Sequence, residues 1–285
     1  MHVHVTDHLL GRSPADAADV LDAVSARCEM SLTLHDVPQG SDGPGRLERR
    51  SEGYRRMARA ARRVVVSSEH ERALLHEHVG ADVAARAHVV PLGASRGPGT
   101  PSAPAASVVP RHVLIAGWVY PGKGHLEAAR AAACAADGLG EDDVRVVAVG
   151  GPSPGHEGEL DALRRTVHEM GIELEVTGVL SPEEYRAQLS RGGAPVVAHQ
   201  HVSASRTLLE WAENGRRAIV LRSRYSEEVD ALRPGLVDVV DPDELGSAIR
   251  AAWQDPGSTR LPPTADLRPY LEDAARAYLD VWRTA

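Results

Sequence analysis

Of the 32 basic residues in this 285-residue chain, only Lys123 is a lysine. It lies in Val113–Arg130, VLIAGWVYPGKGHLEAAR, where an apolar run ends at Gly117 and the turn Pro121-Gly122-Lys123-Gly124 leads into an amphipathic stretch. Glycines let a backbone come close to a phosphate, and an ammonium is a compact charge with three donors. Such a turn can hold an anion at the carboxyl edge of a sheet. Taken alone, the same residues also describe an ordinary solvated turn.

A second segment, Pro195–Ser223, reads PVVAHQHVSASRTLLEWAENGRRAIVLRS. A strand leads to Ser203-Ala204-Ser205, where a helix is expected to begin and to point backbone N–H groups at an anion. Glu210 lies inside that helix and Asn214-Gly215 ends it; a lone helical glutamate is most often a surface group. Histidines gather at His2, His4 and His8 and again at His199-Gln200-His201. An H-x-H at a strand end can open a metal site, so a metal-dependent hydrolase is one reading of the chain. Arg46–Arg63 carries eight arginines against Glu48 and Glu52. Leu47, Tyr54, Ala58 and Ala61 share one helical face there, leaving a basic face either solvated or attracted to an anionic membrane or a phosphorylated acceptor.

The elements that must position these residues repeat a short apolar run, a turn and an alanine-rich amphipathic stretch. Strands are expected at Met1–Thr6, Met30–Leu34, Val64–Ser67 and His88–Leu92, then at Val113–Gly117, Val144–Gly150, Leu174–Val179, Pro195–Ala198, Ala218–Leu221 and Leu236–Val240. Continuous apolarity implies sheets covered on both faces, hence parallel βαβ units. Ser13-Pro14, Ser181-Pro182 and Asp241-Pro242 are helix starts, with Glu184, Glu244 and, after Ser68, Glu71 completing capping boxes. The aperiodic stretch Ala94–Pro110 reads as a linker. A last helix is expected from about Pro269 to Trp282.

A net charge of -8 and a pI near 6.0 argue against nucleic acid as a partner. No apolar run nears the roughly 20 residues needed to span a bilayer. No basic-then-apolar leader opens the chain, and Cys28 and Cys134 suggest neither a disulfide framework nor a zinc knuckle. The expected compartment is the cytoplasm, with peripheral contact at the inner membrane face through Arg46–Arg63.

The order G117-W-V-Y-P-G-K123-G124, VRVVAVGG, VTGVLSPEEY and SASRTLLEWAENGRRAIV resembles the nucleotide-sugar domain of GT-B glycosyltransferases, close to family 4 (glycosyl transferases group 1). HVHVTDHLLG, SLTLHDVPQ, RRVVVSSEHERALL and HVVPLGA resemble the second half of that family's acceptor domain. The resemblance covers nearly the whole chain. It implies an α/β fold of two Rossmann-like domains with parallel sheets flanked by helices, the N-terminal one reduced. Residues 1–94 would form the acceptor-side domain, 95–110 a linker and 111–265 the nucleotide-sugar domain, with 266–285 a helix returning to the first domain. By the same resemblance Lys123, Gly122 and the amides of Ser203, Ala204 and Ser205 bind the donor's diphosphate, Glu210 holds the ribose, and His35 lines the sugar and acceptor side. Lys123 and His35 would then be the catalytic residues. The implied reaction moves a hexose from a nucleoside-diphosphate sugar to a carbohydrate, lipid or small-molecule acceptor hydroxyl, with retention and without a metal or other cofactor.

Three departures from the family pattern stand out. Trp118 replaces an arginine that pairs with the diphosphate, and Val202 replaces the first of two glutamates seven residues apart. Loss of a pre-organised cation or donor typically costs about 3–4 kcal/mol of transition-state stabilisation. Arg206, Arg222 and Arg224 are the candidates to substitute. The chain also opens directly in a strand, where the family has an earlier strand and glycine-rich turn, and the expectation is a start internal to a longer gene. A non-catalytic relative that binds a nucleotide sugar or a partner protein is the alternative reading. No G-x-G-x-x-G follows a first strand, which disfavours a nicotinamide-dependent dehydrogenase.

Overall fold

The computed structural model describes residues 1–6, 9–96, 111–137 and 144–283. His8 and, from residue 97 onward, the expected linker lie outside these. The chain divides into two compact units, Met1–Ala94 with His201–Ala204 and Arg268–Ala285, and Ser95–Gln200 with Ser205–Leu267.

The first unit contains β1 (His2–Val5), α1 (Pro14–Ser25), β2 (Ser31–Leu34), α2 (Pro44–Ala60), β3 (Arg63–Val66), α3 (Glu69–Leu74), α4 (Ala81–Ala85) and β4 (Ala87–Val89). All strand pairs are parallel, in the order β1-β2-β3-β4. Alternation along β3 explains its unbroken apolar run. Val64 and Val66 face α1 and α2 through Leu21, Tyr54 and Met57. Val65 faces the last helix, Leu271–Arg283, through Val90 and Val281. Both faces of the sheet are thus covered. The two leading helices meet closely: a Cβ on Gly53 would lie 2.5 Å from Pro14 Cβ.

The second unit contains β5 (His112–Ala116), α5 (His125–Ala136), β6 (Arg145–Val149), α6 (Glu157–Glu169), β7 (Glu173–Val176), α7 (Pro182–Leu189), β8 (Ala194–Val197), α8 (Arg206–Glu213), β9 (Ala218–Leu221), α9 (Arg224–Leu232), β10 (Val237–Val240) and α10 (Leu245–Gln254). The six strands are parallel, in the order β10-β9-β8-β5-β6-β7. The winding reverses between β5 and β8, which makes this the switch point at whose carboxyl edge such sheets bind ligands.

The expected caps form in most places. Ser13 accepts from Asp16 N, and Ser181 and Glu184 make a reciprocal capping box. Asp241 N does donate to Glu244 Oε2, at 3.2 Å, but the bonds close a turn, and α10 starts only at Leu245. Ser68 accepts from Glu71 N at 3.0 Å, while the Glu71 carboxylate leaves its cap and accepts from Ser67 N at 2.7 Å. That side chain is fully buried and is used elsewhere, as described below.

Candidate functional site

The β5–α5 turn is shaped by three glycines in the left-handed region, Gly117 (φ 98°), Gly122 (φ 84°) and Gly124 (φ 96°). Gly124 allows the closest approach: a Cβ there would lie 2.2 Å from the Ala198 carbonyl oxygen beyond β8. Gln200 N donates to Gly122 O at 2.8 Å, so the two loops of the switch point are tied together. Lys123 is therefore folded inward and is only 5% exposed. A Cβ on Gly117 would lie 3.2 Å from Lys123 Nζ, and Nζ is 5.9 Å from the centre of the Tyr120 ring. Nζ makes no ion pair among the described residues. Burial pushes its pKa down to about 8, against the pull of Glu210. A desolvated ammonium without a directly paired carboxylate is a site that an anion would complete.

Glu210 comes from α8 and is half-buried. Tyr185 of α7 donates its hydroxyl to Glu210 Oε2 at 2.9 Å, and burial together with this carboxylate raises the phenol's pKa. Thr207 Oγ1 would lie 3.9 Å from a Cβ on Gly117, so the first turn of α8 faces the glycine that also faces Lys123. A cation and a threonine hydroxyl thus converge on Gly117, with the Glu210 carboxylate near enough to act on the cation. Together they can neutralise an anion and accept hydrogen bonds from a diol. Neither Tyr185 nor Thr207 stood out in the sequence; only the sheet order brings α7 and α8 to this point.

Ser203, Ala204 and Ser205 do not sit as expected. The helix begins at Arg206, so its open first-turn amides fall downstream of them. Ser205 N donates to Tyr225 Oη at 2.9 Å. Ser203 and Ala204 belong to the first unit, where Ser203 Oγ and Ala204 N (3.3 Å) both donate to Glu71 Oε1. The Val202 backbone is held by Gln39, whose Nε2 donates to Val202 O at 2.8 Å, and by His70 Nε2 at 3.0 Å from the same oxygen. His201 Nε2 lies 2.8 Å from Asp36 Oδ1 and its Nδ1 lies 2.8 Å from Ser41 Oγ. A carboxylate only accepts, so the ring carries a proton on Nε2 toward Asp36. The buried Arg50 fixes the receiving end, with Nη2 at 2.9 Å from Asp36 Oδ2 and Nη1 at 2.6 Å from Asp42 Oδ2. Against burial, which pushes it up, the His201 hydrogen bond and Arg50 hold the Asp36 carboxyl below its ordinary pKa. These partners lie far from 201–204 in sequence, which is why no local pattern revealed them.

His35 follows β2 directly, half-buried, with Nε2 3.0 Å from His4 Nδ1 and the two rings stacked. His2 is bound at both ring nitrogens, to Ser31 and Thr33. Thr33 Oγ1 also lies 2.8 Å from Tyr278 Oη of the last helix. Among the described residues no three His, Cys, Asp or Glu side chains converge as metal ligands. His2 bonds to Ser31 and Thr33, His4 to His35, and His201 to Asp36 and Ser41, so these three imidazoles are engaged with protein partners. Burial and neighbouring imidazoles push His2 and His35 down to about 4, and burial lowers His4. Unfolded histidines titrate near 6.5. Between pH 6.5 and 4 the unfolded chain therefore binds protons that the folded unit refuses, and stability falls as pH falls. Urea unfolding should show a lower midpoint at pH 5.0 than at 7.5, with a smaller drop in a His2→Asn/His4→Asn variant; equal midpoints would refute this.

The basic stretch is largely paired with carboxylates. Arg50 is buried, Arg46 pairs with Asp42 and Arg55 with Glu52. Arg56 pairs with Asp19 and Asp22 of α1, each at 2.7 Å, and Arg62 with Glu29 at 2.6 Å. This leaves the membrane expectation without the contiguous free basic face it needs. No described helix is long and apolar enough to cross a membrane. In the second unit Arg206 pairs with Glu213, and Arg222 with Asp241 and Glu227. Neither is an idle substitute for the arginine that Trp118 displaces.

No protein-family model matches the chain, and no curated protein matches its sequence. Solved structures do match. The Anabaena protein HepE, solved with UDP-glucose, is 15% identical with a TM-score of 0.74, over 95% of this chain and 76% of that one. A UDP-forming trehalose-phosphate synthase from Burkholderia xenovorans is 14% identical with a TM-score of 0.66, over 99% and 73%. The lipopolysaccharide outer core galactosyltransferase WaaB is 14% identical with a TM-score of 0.62, over 94% and 79%. At these identities the likeness establishes the fold: two parallel α/β sheets flanked by helices, of the GT-B glycosyltransferase type.

Proposed function

We propose that the chain is a glycosyltransferase that moves a hexose from a nucleoside-diphosphate sugar to an acceptor hydroxyl. The observation that carries this reading is Lys123, a buried ammonium with no ion pair among the described residues, held over Gly117 at the switch point of the second sheet. In the transfer the anomeric C–O bond to the diphosphate breaks, the acceptor oxygen bonds to the anomeric carbon, and the acceptor hydroxyl passes its proton to an oxygen of the departing diphosphate. The leaving diphosphate gains charge, which a pre-positioned cation stabilises without reorganisation. Lys123 fills that role as a fixed charge. Glu210, steadied by Tyr185, has oxygen capacity left to accept from the two ribose hydroxyls. On the acceptor side the reading keeps His35, whose ring is neutral at neutral pH and offers a hydrogen bond rather than a charge. Retention of configuration rests on the family resemblance. Independence from metal rests on that resemblance and on Lys123. The neighbours solved with UDP or UDP-glucose make uridine nucleotides the first donors to try.

The test is a thermal-shift screen of nucleoside diphosphates and their sugars, followed by donor turnover with and without acceptor. A stabilising nucleotide is expected, with a weaker shift in Glu210→Ala; a flat response across the screen would sink the donor-site assignment. Binding without turnover would favour the non-catalytic alternative. Because Lys123 titrates near 8, affinity for the diphosphate should fall as pH rises past 8, approaching tenfold per pH unit. Calorimetric titrations between pH 7 and 9.5 measure this, and a pH-independent affinity would exclude Lys123 as the anchoring charge.

A further inference from the structure

Trp118 and Tyr120, in the segment that leads to Lys123, have no ligand assigned so far. The chain is poor in aromatics, 4% with no Phe, yet Trp118 is 49% exposed and Tyr120 38%. Their segment is extended and pinned on both sides. Gly117 N donates to Val149 O at 3.0 Å, Val119 N to Gly151 O at 2.9 Å, and Ser153 N to Val119 O at 3.0 Å. Between them Val119 is buried against Ala148 and Leu160. Successive side chains of an extended segment point to opposite sides, so Trp118 and Tyr120 share the face that Val119 does not. The approach of Lys123 Nζ to the Tyr120 ring sets the cation beside that face.

A rigidly held apolar face beside an anion-seeking cation suits a ligand that is part phosphate and part ring. We propose that Trp118 and Tyr120 form a stacking platform for the hexopyranose of the donor. The inference rests on the nucleotide-sugar reading above and adds the residues that select the sugar. Glu210 and Tyr185 already provide polar partners for the ribose; of the two rings left, the base lies beyond the ribose, whereas the hexose is bonded to the diphosphate itself and so falls beside the cation that holds it. A pyranose presents axial C–H bonds as an apolar face, which an indole can cover while the equatorial hydroxyls stay solvated. Because the backbone at 117–120 is already fixed, binding orders little besides the ligand.

Calorimetric titration of the full chain with UDP, UDP-glucose, GDP and GDP-mannose tests this. For the base that binds, Trp118→Ala should weaken the nucleotide sugar by about tenfold, the scale of one aromatic contact, and leave the nucleoside diphosphate unchanged. Trp118→Phe should retain most of the affinity, and both variants should melt as the parent does, since the side chain lies at the surface. If Trp118→Ala weakens the diphosphate and its sugar equally, or neither, the platform is overturned while the donor site stands. If no nucleotide binds the parent chain, both readings fall together.

Discussion

Lys123→Ala should abolish measurable nucleoside-diphosphate binding while leaving the melting temperature of the free protein unchanged or slightly higher. The two effects have one cause. Burial disfavours the charged amine, as its depressed pKa shows, so the folded protein holds Lys123 at a cost that a bound anion relieves. Removing a charge that faces a desolvated counter-charge typically costs about 3 kcal/mol or more, on the order of 100-fold in affinity. Lys123→Arg should not rescue it. The space over Gly117 admits a compact ammonium, and a planar guanidinium would have to displace the turn or the first residues of α8. This gives the solitary lysine a physical reason in a chain that otherwise uses arginine. Calorimetry on the three proteins decides it: full affinity in Lys123→Ala, or recovery in Lys123→Arg, would remove the assignment.

The second large effect is expected at Gly124. An alanine there meets two penalties at once. A φ of 96° strains any L side chain, by about 1–2 kcal/mol, and the added Cβ would fall 2.2 Å from the Ala198 carbonyl oxygen. That oxygen is backbone and cannot swing aside, so the β5 and β8 loops must part. With overpacking of about 1–3 kcal/mol added, the total is about 3 kcal/mol, or a melting point lower by roughly 6–12 °C. Gly124→Ala should also lose nucleotide binding while Lys123 is intact, because the turn that folds the lysine inward is gone. By contrast Gly155→Ala pays only the backbone strain at φ 85°, since nothing lies within 4 Å of its Cβ. A Gly124→Ala protein as stable as Gly155→Ala would show that the close approach is not rigid.

Much of the fold is legible in the sequence because its causes are local. The apolar runs at Val64–Val66 and Val113–Ala116 lack a polar alternate residue, and only a sheet covered on both faces tolerates that. Ser13-Pro14 and Ser181-Pro182 start helices for reasons confined to a few residues. The turn 121–124 is likewise visible as a glycine-rich break between strand and helix. Where local signals point two ways, tertiary contacts choose. Glu71 is spaced for a capping box, but burial beside Ser67 and Ser203 outcompetes the cap. The arginines of α2 read as a free basic face, but Asp19 and Asp22 on a neighbouring helix neutralise Arg56, and Asp36 and Asp42 draw Arg50 inside.

By itself, the sequence determined the strands, most of the helix starts, the parallel arrangement, and a lysine-bearing glycine turn at the end of a strand. Each depends on backbone conformation or periodicity within about a dozen residues. Only the tertiary structure decided that Lys123 is buried, that Tyr185 and Glu210 pair near it, that Ser203 and Ala204 serve Glu71, and that Trp118 and Tyr120 stay exposed. Those outcomes depend on which strands become neighbours and where a buried charge finds a partner. Both are settled by contacts across more than a hundred residues in several cases, beyond the reach of any local pattern.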